Sequence, residues 1–116
     1  MKKIISGLAV CTMFASAVFA QDISAEKGKQ IFEAKGCAVC HKKDMDTIGP
    51  SIAAIARGYL GKEKEMISYL RGQGQPIVDP MRASVMNPQL VKIRTLFDPD
   101  MQALATYIIS INDRPQ

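Results

Sequence analysis

The chain has 116 residues, three cysteines and one histidine, and 15 Lys and Arg against 11 Asp and Glu give a formal charge of +4. That length accommodates one domain, and the small charge, with no basic stripe interleaved with aromatics, excludes a nucleic-acid binder. With no tryptophan and four phenylalanines at most, the side chains alone build only a small core.

Residues 1–20 read as a secretion signal. Lys2 and Lys3 precede a mostly apolar stretch from Ile4 to Phe19, and Val18-Phe19-Ala20 ends it as a cleavage site. Ser6, Gly7, Thr12 and Ser16 interrupt the stretch, which is too short for a membrane span of about 20 apolar residues. Cys11 follows Leu8-Ala9-Val10 and is followed by more apolar sequence, so an ordinary signal residue is expected there and not a lipid anchor. Cleavage after Ala20 leaves a single domain, residues 21–116, in which 13 Lys and Arg face 11 Asp and Glu. Only Cys37 and Cys40 then remain, and no further cysteine is left for a structural disulfide.

Four short helices are expected in this domain. Ser24 is a candidate N-cap for the first, with Ala25, Gly28, Ile31, Phe32 and Lys35 at helical spacing and Gly36 as its terminator. Gly49-Pro50 breaks the chain. Ser51 opens a second helix, Ile52 to Arg57, closed by Gly58. A third runs from Lys62 to Arg71 with Met66, Ile67 and Leu70 on its apolar side. Gly72, Gly74, Pro76, Pro80 and Pro88 mark the stretch to Thr95 as a long loop, a length that usually signals function. Asp98-Pro99-Asp100 starts the last helix with an N-cap and an early proline. Met101, Leu104, Ala105, Ile108 and Ile111 form its buried stripe, and Asn112 to Gln116 a polar tail. No segment alternates with period two, so the fold class is all-α.

Between the first two helices stands Cys37-Ala38-Val39-Cys40-His41, the C-x-x-C-H pattern of covalent heme attachment. Two thiols form thioethers with the heme vinyl groups, and the adjacent histidine binds the iron. A zinc site would need a second Cys or His pair, which is missing, and a redox dithiol would need a βαβ context. Attachment outside the cytoplasm agrees with a secretion signal. Two heme propionates would bring the mature protein, at +2, close to neutral.

With this motif, Gly49-Pro50 after it, and a last helix carrying Leu104 and Tyr107, the chain resembles the class I monoheme cytochromes c along its whole mature length. The resemblance implies a cytochrome c fold around one heme c and its iron, with Gly28 and Phe32 crossing Leu104 and Tyr107. It also implies that the Pro50 carbonyl accepts from the other ring nitrogen of His41, which orients the imidazole and raises its basicity.

His41 is the only histidine, so the second axial ligand is another residue type, and a methionine thioether suits an electron carrier because it raises the potential. Met45 is too near His41 to reach the other heme face, and Met66 and Met101 read as core. Met81 and Met86 both lie in the long segment. Met86, in Met86-Asn87-Pro88-Gln89, resembles the distal segment of the family and is preferred; Met81, after Pro80, is the rival.

The function expected is electron transport, not enzymatic catalysis: a monomeric periplasmic carrier in a respiratory chain. Its donor would be a quinol-oxidising complex or a dehydrogenase, and its acceptor a terminal oxidase or a peroxidase. The alternatives are a heme subunit of a larger periplasmic oxidoreductase, as in sulfur-compound oxidation, and a five-coordinate gas-binding heme protein. Lys35, Lys42 and Lys43 bracket the motif as candidate docking charges, diluted by Asp44 and Asp46, and Arg82 and Arg94 are candidate partners for the propionates.

Overall fold

The computed structural model describes Gly7 and residues 16–114, with side-chain environments from Ile23 onward. The first part of the expected secretion signal, Cys11 included, lies outside the described residues. Those described are helical without strands: α1 Ser16–Ala34, α2 Ile52–Gly58, α3 Glu63–Leu70, α4 Ala83–Leu90 and α5 Asp98–Ile109. Short 3-10 turns cover Cys37–Val39, Pro80–Arg82 and Ser110–Asp113. The all-α class is as expected, but the described residues form five α-helices where four were predicted.

α1 runs through Ser24, which is therefore an interior residue and not an N-cap. No glycine or proline stands between Ser16 and Gly28 to stop the helix earlier. It ends where expected. Gly36 takes a left-handed φ of 75°, a conformation that costs glycine nothing, and this turn delivers the chain directly to Cys37.

α2 is capped by Ser51, whose hydroxyl accepts from the Ala54 amide at 3.1 Å. α5 starts at Asp98, so Asp98 is its first helical residue and not its cap; the cap position belongs to Phe97, with no side-chain bond. The Asp98 carboxylate is instead taken by the Arg71 guanidinium at 2.6 Å. Asp100 pairs with Lys27 of α1 at 2.6 Å.

The second correction concerns residues 72–95, which are not a structureless loop. Asp79-Pro80 opens a 3-10 turn that continues into α4, and the Asp79 side chain accepts from the Arg82 amide at 3.2 Å. This is the same acid-proline signal that starts α5. Pro88 lies inside α4, and its missing N–H makes that segment look broken in sequence. Leu90 and Ile93 anchor the end of the segment in the core at 6% and 3% exposure.

α5 is the centre of the packing and touches α1, α2 and α3. Its expected stripe is buried throughout, Met101, Leu104, Ala105, Ile108 and Ile111 included. α1 approaches it most closely at Gly28, where a Cβ would stand 1.9 Å from the Ala103 carbonyl oxygen and 2.6 Å from the Tyr107 Cβ. Only glycine permits that crossing. One turn on, Phe32 and Tyr107 meet edge to face, with centroids 5.5 Å apart, a geometry that adds about 1 kcal/mol to their area burial. The C-terminal segment is not simply a polar tail: Asn112 Nδ2 donates to the Ala56 carbonyl at 2.8 Å and ties the 3-10 turn to α2.

Candidate heme site

The 3-10 turn after Gly36 places Cys37, Cys40 and His41 within one tight bend. The Cys40 and His41 amides both donate to the Cys37 carbonyl, at 3.2 and 3.0 Å. Both thiols are free and half-buried. Burial pushes the Cys37 thiol up from its ordinary range, opposed by a backbone hydrogen bond and by the charges of Lys92 and Lys35.

His41 Nδ1 lies 2.8 Å from the Pro50 carbonyl oxygen. A carbonyl can only accept, so Nδ1 carries the proton and donates. In the neutral ring of that tautomer, Nε2 is the nitrogen whose lone pair can meet a metal. The ring lies against Gly49, where a Cβ would sit 2.7 Å from Cε1 and 3.0 Å from Nδ1. Gly49 thus makes room for the imidazole, and Pro50 meets its nitrogen.

The loop that brings Gly49-Pro50 back to His41 is closed by its own bonds. The Gly49 amide and the Thr47 hydroxyl donate to the Cys40 carbonyl at 3.1 and 3.0 Å. The Ser51 amide donates to Asp46 Oδ1 at 2.7 Å, and the Ile52 amide to the Lys42 carbonyl at 2.8 Å. Asp46 and Thr47 were not singled out for this role in the sequence. The Asp46-to-Ser51 spacing, an acid five residues before a helix cap, is the signal that could have found them.

Cys37, Cys40, His41 and Pro50 line one side of a cleft enclosing about 1120 Å³ of space, part of it open to solvent. Phe32, Met66, Leu70, Leu104 and Ile108 line it from α1, α3 and α5, and Val85, Met86 and Gln89 from α4. The methionines separate clearly. Met86 is half-buried and lines the cleft. Met81 is 91% exposed and is not among the lining residues. Met45 is exposed, Met101 is buried in the core, and Met66, also buried, belongs to the cleft lining as well as to the core.

The polar groups at the cleft are few. Tyr59 is buried, and the Ile77 backbone is the polar group beside its hydroxyl, which makes no other hydrogen bond among the described residues. Burial raises both the Tyr59 and Tyr69 phenols above their ordinary range, so each holds its proton. Arg82 lines the cleft and Arg94 does not. Of the expected docking lysines, Lys42 is exposed and donates to the Ala38 carbonyl at 2.8 Å, while Lys35 stands at the cleft. Among the described residues, no group of three His, Cys, Asp or Glu side chains could hold a bare metal ion.

A porphyrin suits this donor set better than a bare ion does. Two thiols and an imidazole converge on a cleft with a mainly apolar lining, with the Tyr59 phenol in its wall. A family description, Cytochrome c, matches residues 25–112. Among curated proteins, cytochrome c-551 of Pseudomonas aeruginosa is 29% identical over 110 residues, covering 92% of this chain and 93% of its own length. Cytochrome c-552 of Hydrogenobacter thermophilus is 33% identical over 84 residues, covering 72% of this chain and 80% of its own length.

Proposed function

From the premise that this chain belongs to the cytochrome c family and binds covalently attached heme c, we propose that it is a periplasmic one-electron carrier whose iron is held by His41 and Met86. Electron transfer through the heme is the function of the family. The bound heme supplies the Fe(II)/Fe(III) couple, and the chain's residues set how it behaves.

Cys37 and Cys40 hold the macrocycle by thioether bonds. His41 offers Nε2, with its plane and basicity set by the 2.8 Å bond to the Pro50 carbonyl. Met86 offers a thioether, which favours the ferrous state and raises the potential. With His41 and Met86 both holding the iron, the chain would leave it no free position for a substrate. The apolar lining from α1, α3 and α5 keeps water away from the ring.

The observation that carries this reading is that one cleft gathers Cys37, Cys40, His41 and Met86 while Met81 stands in solvent. We place the mature chain at residues 21–116, released after Ala20. No helix among the described residues is long and apolar enough to cross a membrane. Donor and acceptor are respiratory redox proteins that dock at the heme edge.

The test is an optical spectrum of the purified holoprotein with a redox titration. A weak near-infrared band in the ferric state, a reversible one-electron wave and a monomeric hydrodynamic size are expected. Rapid carbon monoxide binding by the reduced protein would overturn the closed site. An intact mass starting at a residue other than Gln21 would overturn the cleavage position.

A further inference from the structure

We propose that Asp79 and Arg82 form a clasp that couples the two walls of the heme cleft and sets how readily the sixth iron position opens to an external ligand. The proposal rests on the reading of Met86 as the ligand at that position.

Arg82 spends its guanidinium on three oxygens from two regions. Nε donates to Asp79 Oδ2 at 2.5 Å. Nη1 donates to the Thr47 carbonyl at 3.2 Å and to the Ile48 carbonyl at 3.3 Å. Among the described residues, these are the side-chain hydrogen bonds that join the loop after His41 to the segment carrying Met86. Thr47 and Ile48 lead straight into Gly49-Pro50, which orients His41. Arg82 ends the 3-10 turn that runs into α4, one helical turn before Met86. A single side chain therefore spans the supports of both axial ligands.

The chemistry explains why the residue is arginine. A planar fork can reach two backbone carbonyls and a carboxylate together, and a lysine ammonium cannot hold all three in one geometry. α4 has eight residues, too few to be stable without tertiary anchoring. Its far end is anchored by Leu90 and Ile93 in the core, and the following turn by Arg71, which donates to the Arg94 and Leu96 carbonyls at 3.0 and 3.1 Å. Its near end, beside the cleft, depends on Arg82. Releasing Arg82 frees the Met86 end of α4 from the proximal loop and leaves the other anchor in place.

The experiment is stopped-flow binding of imidazole, as the added ligand, to the ferric holoproteins of Arg82→Gln, Asp79→Asn, the double variant and Arg71→Gln. Each is first checked for covalent heme and a native near-infrared band. Asn still serves as an N-cap, so Asp79→Asn removes the charge partner and leaves the turn intact. The rate constant is expected to rise about tenfold in Arg82→Gln and in Asp79→Asn, as loss of a charge-assisted bond implies. The double variant should rise no further, because the two groups act as one unit. Arg71→Gln, which breaks a comparable three-oxygen contact away from the cleft, should leave the rate near wild type.

An unchanged rate in Arg82→Gln overturns the clasp. So does a rise in Arg82→Gln with none in Asp79→Asn, which would mean that the guanidinium acts on another group such as a propionate. An equal rise in Arg71→Gln reduces the effect to general loosening and also overturns it. Retention of the near-infrared band in Met86→Ala would instead sink the ligand assignment, which separates the two failures.

Discussion

The two sides of the heme cleft are built by different means. The proximal side is one contiguous stretch, Cys37 to Ile52, and the bonds within it span ten residues or fewer, from the Ile52 contact with Lys42 to the Ser51 contact with Asp46. The distal side, residues 72–96, is tied to the proximal side across 34 and 35 residues through Arg82, while Arg71 holds only the turn beyond α4. A wall closed by local backbone bonds is ordered at little loop-closure cost, whereas a wall held by a few distant side chains orders only when the whole chain has collapsed. The proximal side should therefore persist when the distal side opens, and local stability should differ between them in the same sense.

The largest effect expected removes the centre that both sides enclose. Cys37→Ala with Cys40→Ala should abolish covalent heme attachment and leave a poorly folded chain, because the heme supplies much of the apolar interior of a domain this small. Native helix content in the far-UV spectrum of that variant would break the comparison at its root. Next is the distal ligand. Met86→Ala should eliminate the near-infrared band and lower the potential, while Met81→Ala, at a side chain 91% exposed, should change neither; the opposite result would hand the distal role to Met81.

On the proximal side, Gly49→Ala places a Cβ 2.7 Å from the His41 ring. Either the ring tilts off the Pro50 carbonyl or the loop shifts, at a cost of about 1–3 kcal/mol in stability. A lowered melting temperature together with a shifted potential is expected, and wild-type values for both would contradict the close approach. The smallest effect is Ser51→Ala, which removes the cap of α2 for about 1 kcal/mol. Because that bond is local, it should appear in chemical denaturation without touching the near-infrared band.

Legibility followed the same division. The proximal site could be read directly, since Cys37, Cys40 and His41 form a contiguous pattern and Gly49-Pro50 follows at short range. The family resemblance based on them agrees with the match over residues 25–112. The buried stripe of α5 was equally plain, because helical period marks a face wherever the helix packs. α4 was not. Pro88 and the glycines around it carry loop signals, and the helix exists because Asp79-Pro80 starts it and Leu90 and Ile93 anchor it in a core that local sequence does not reveal. Ser24 failed as a boundary for the complementary reason: a good capping residue does not by itself stop a helix when no glycine or proline stands before it in the helix.

Residue order alone pointed to Cys37-to-His41 as the heme attachment site and gave the all-α class and the apolar face of α5, because each depends on spacing within a few turns of chain. It also narrowed the distal ligand to Met81 or Met86. Which of the two shares the cleft with His41, and which arginine bridges its walls, depended on tertiary structure. Those relations join residues more than thirty positions apart, where spacing carries no geometric information and packing alone decides which side chains meet.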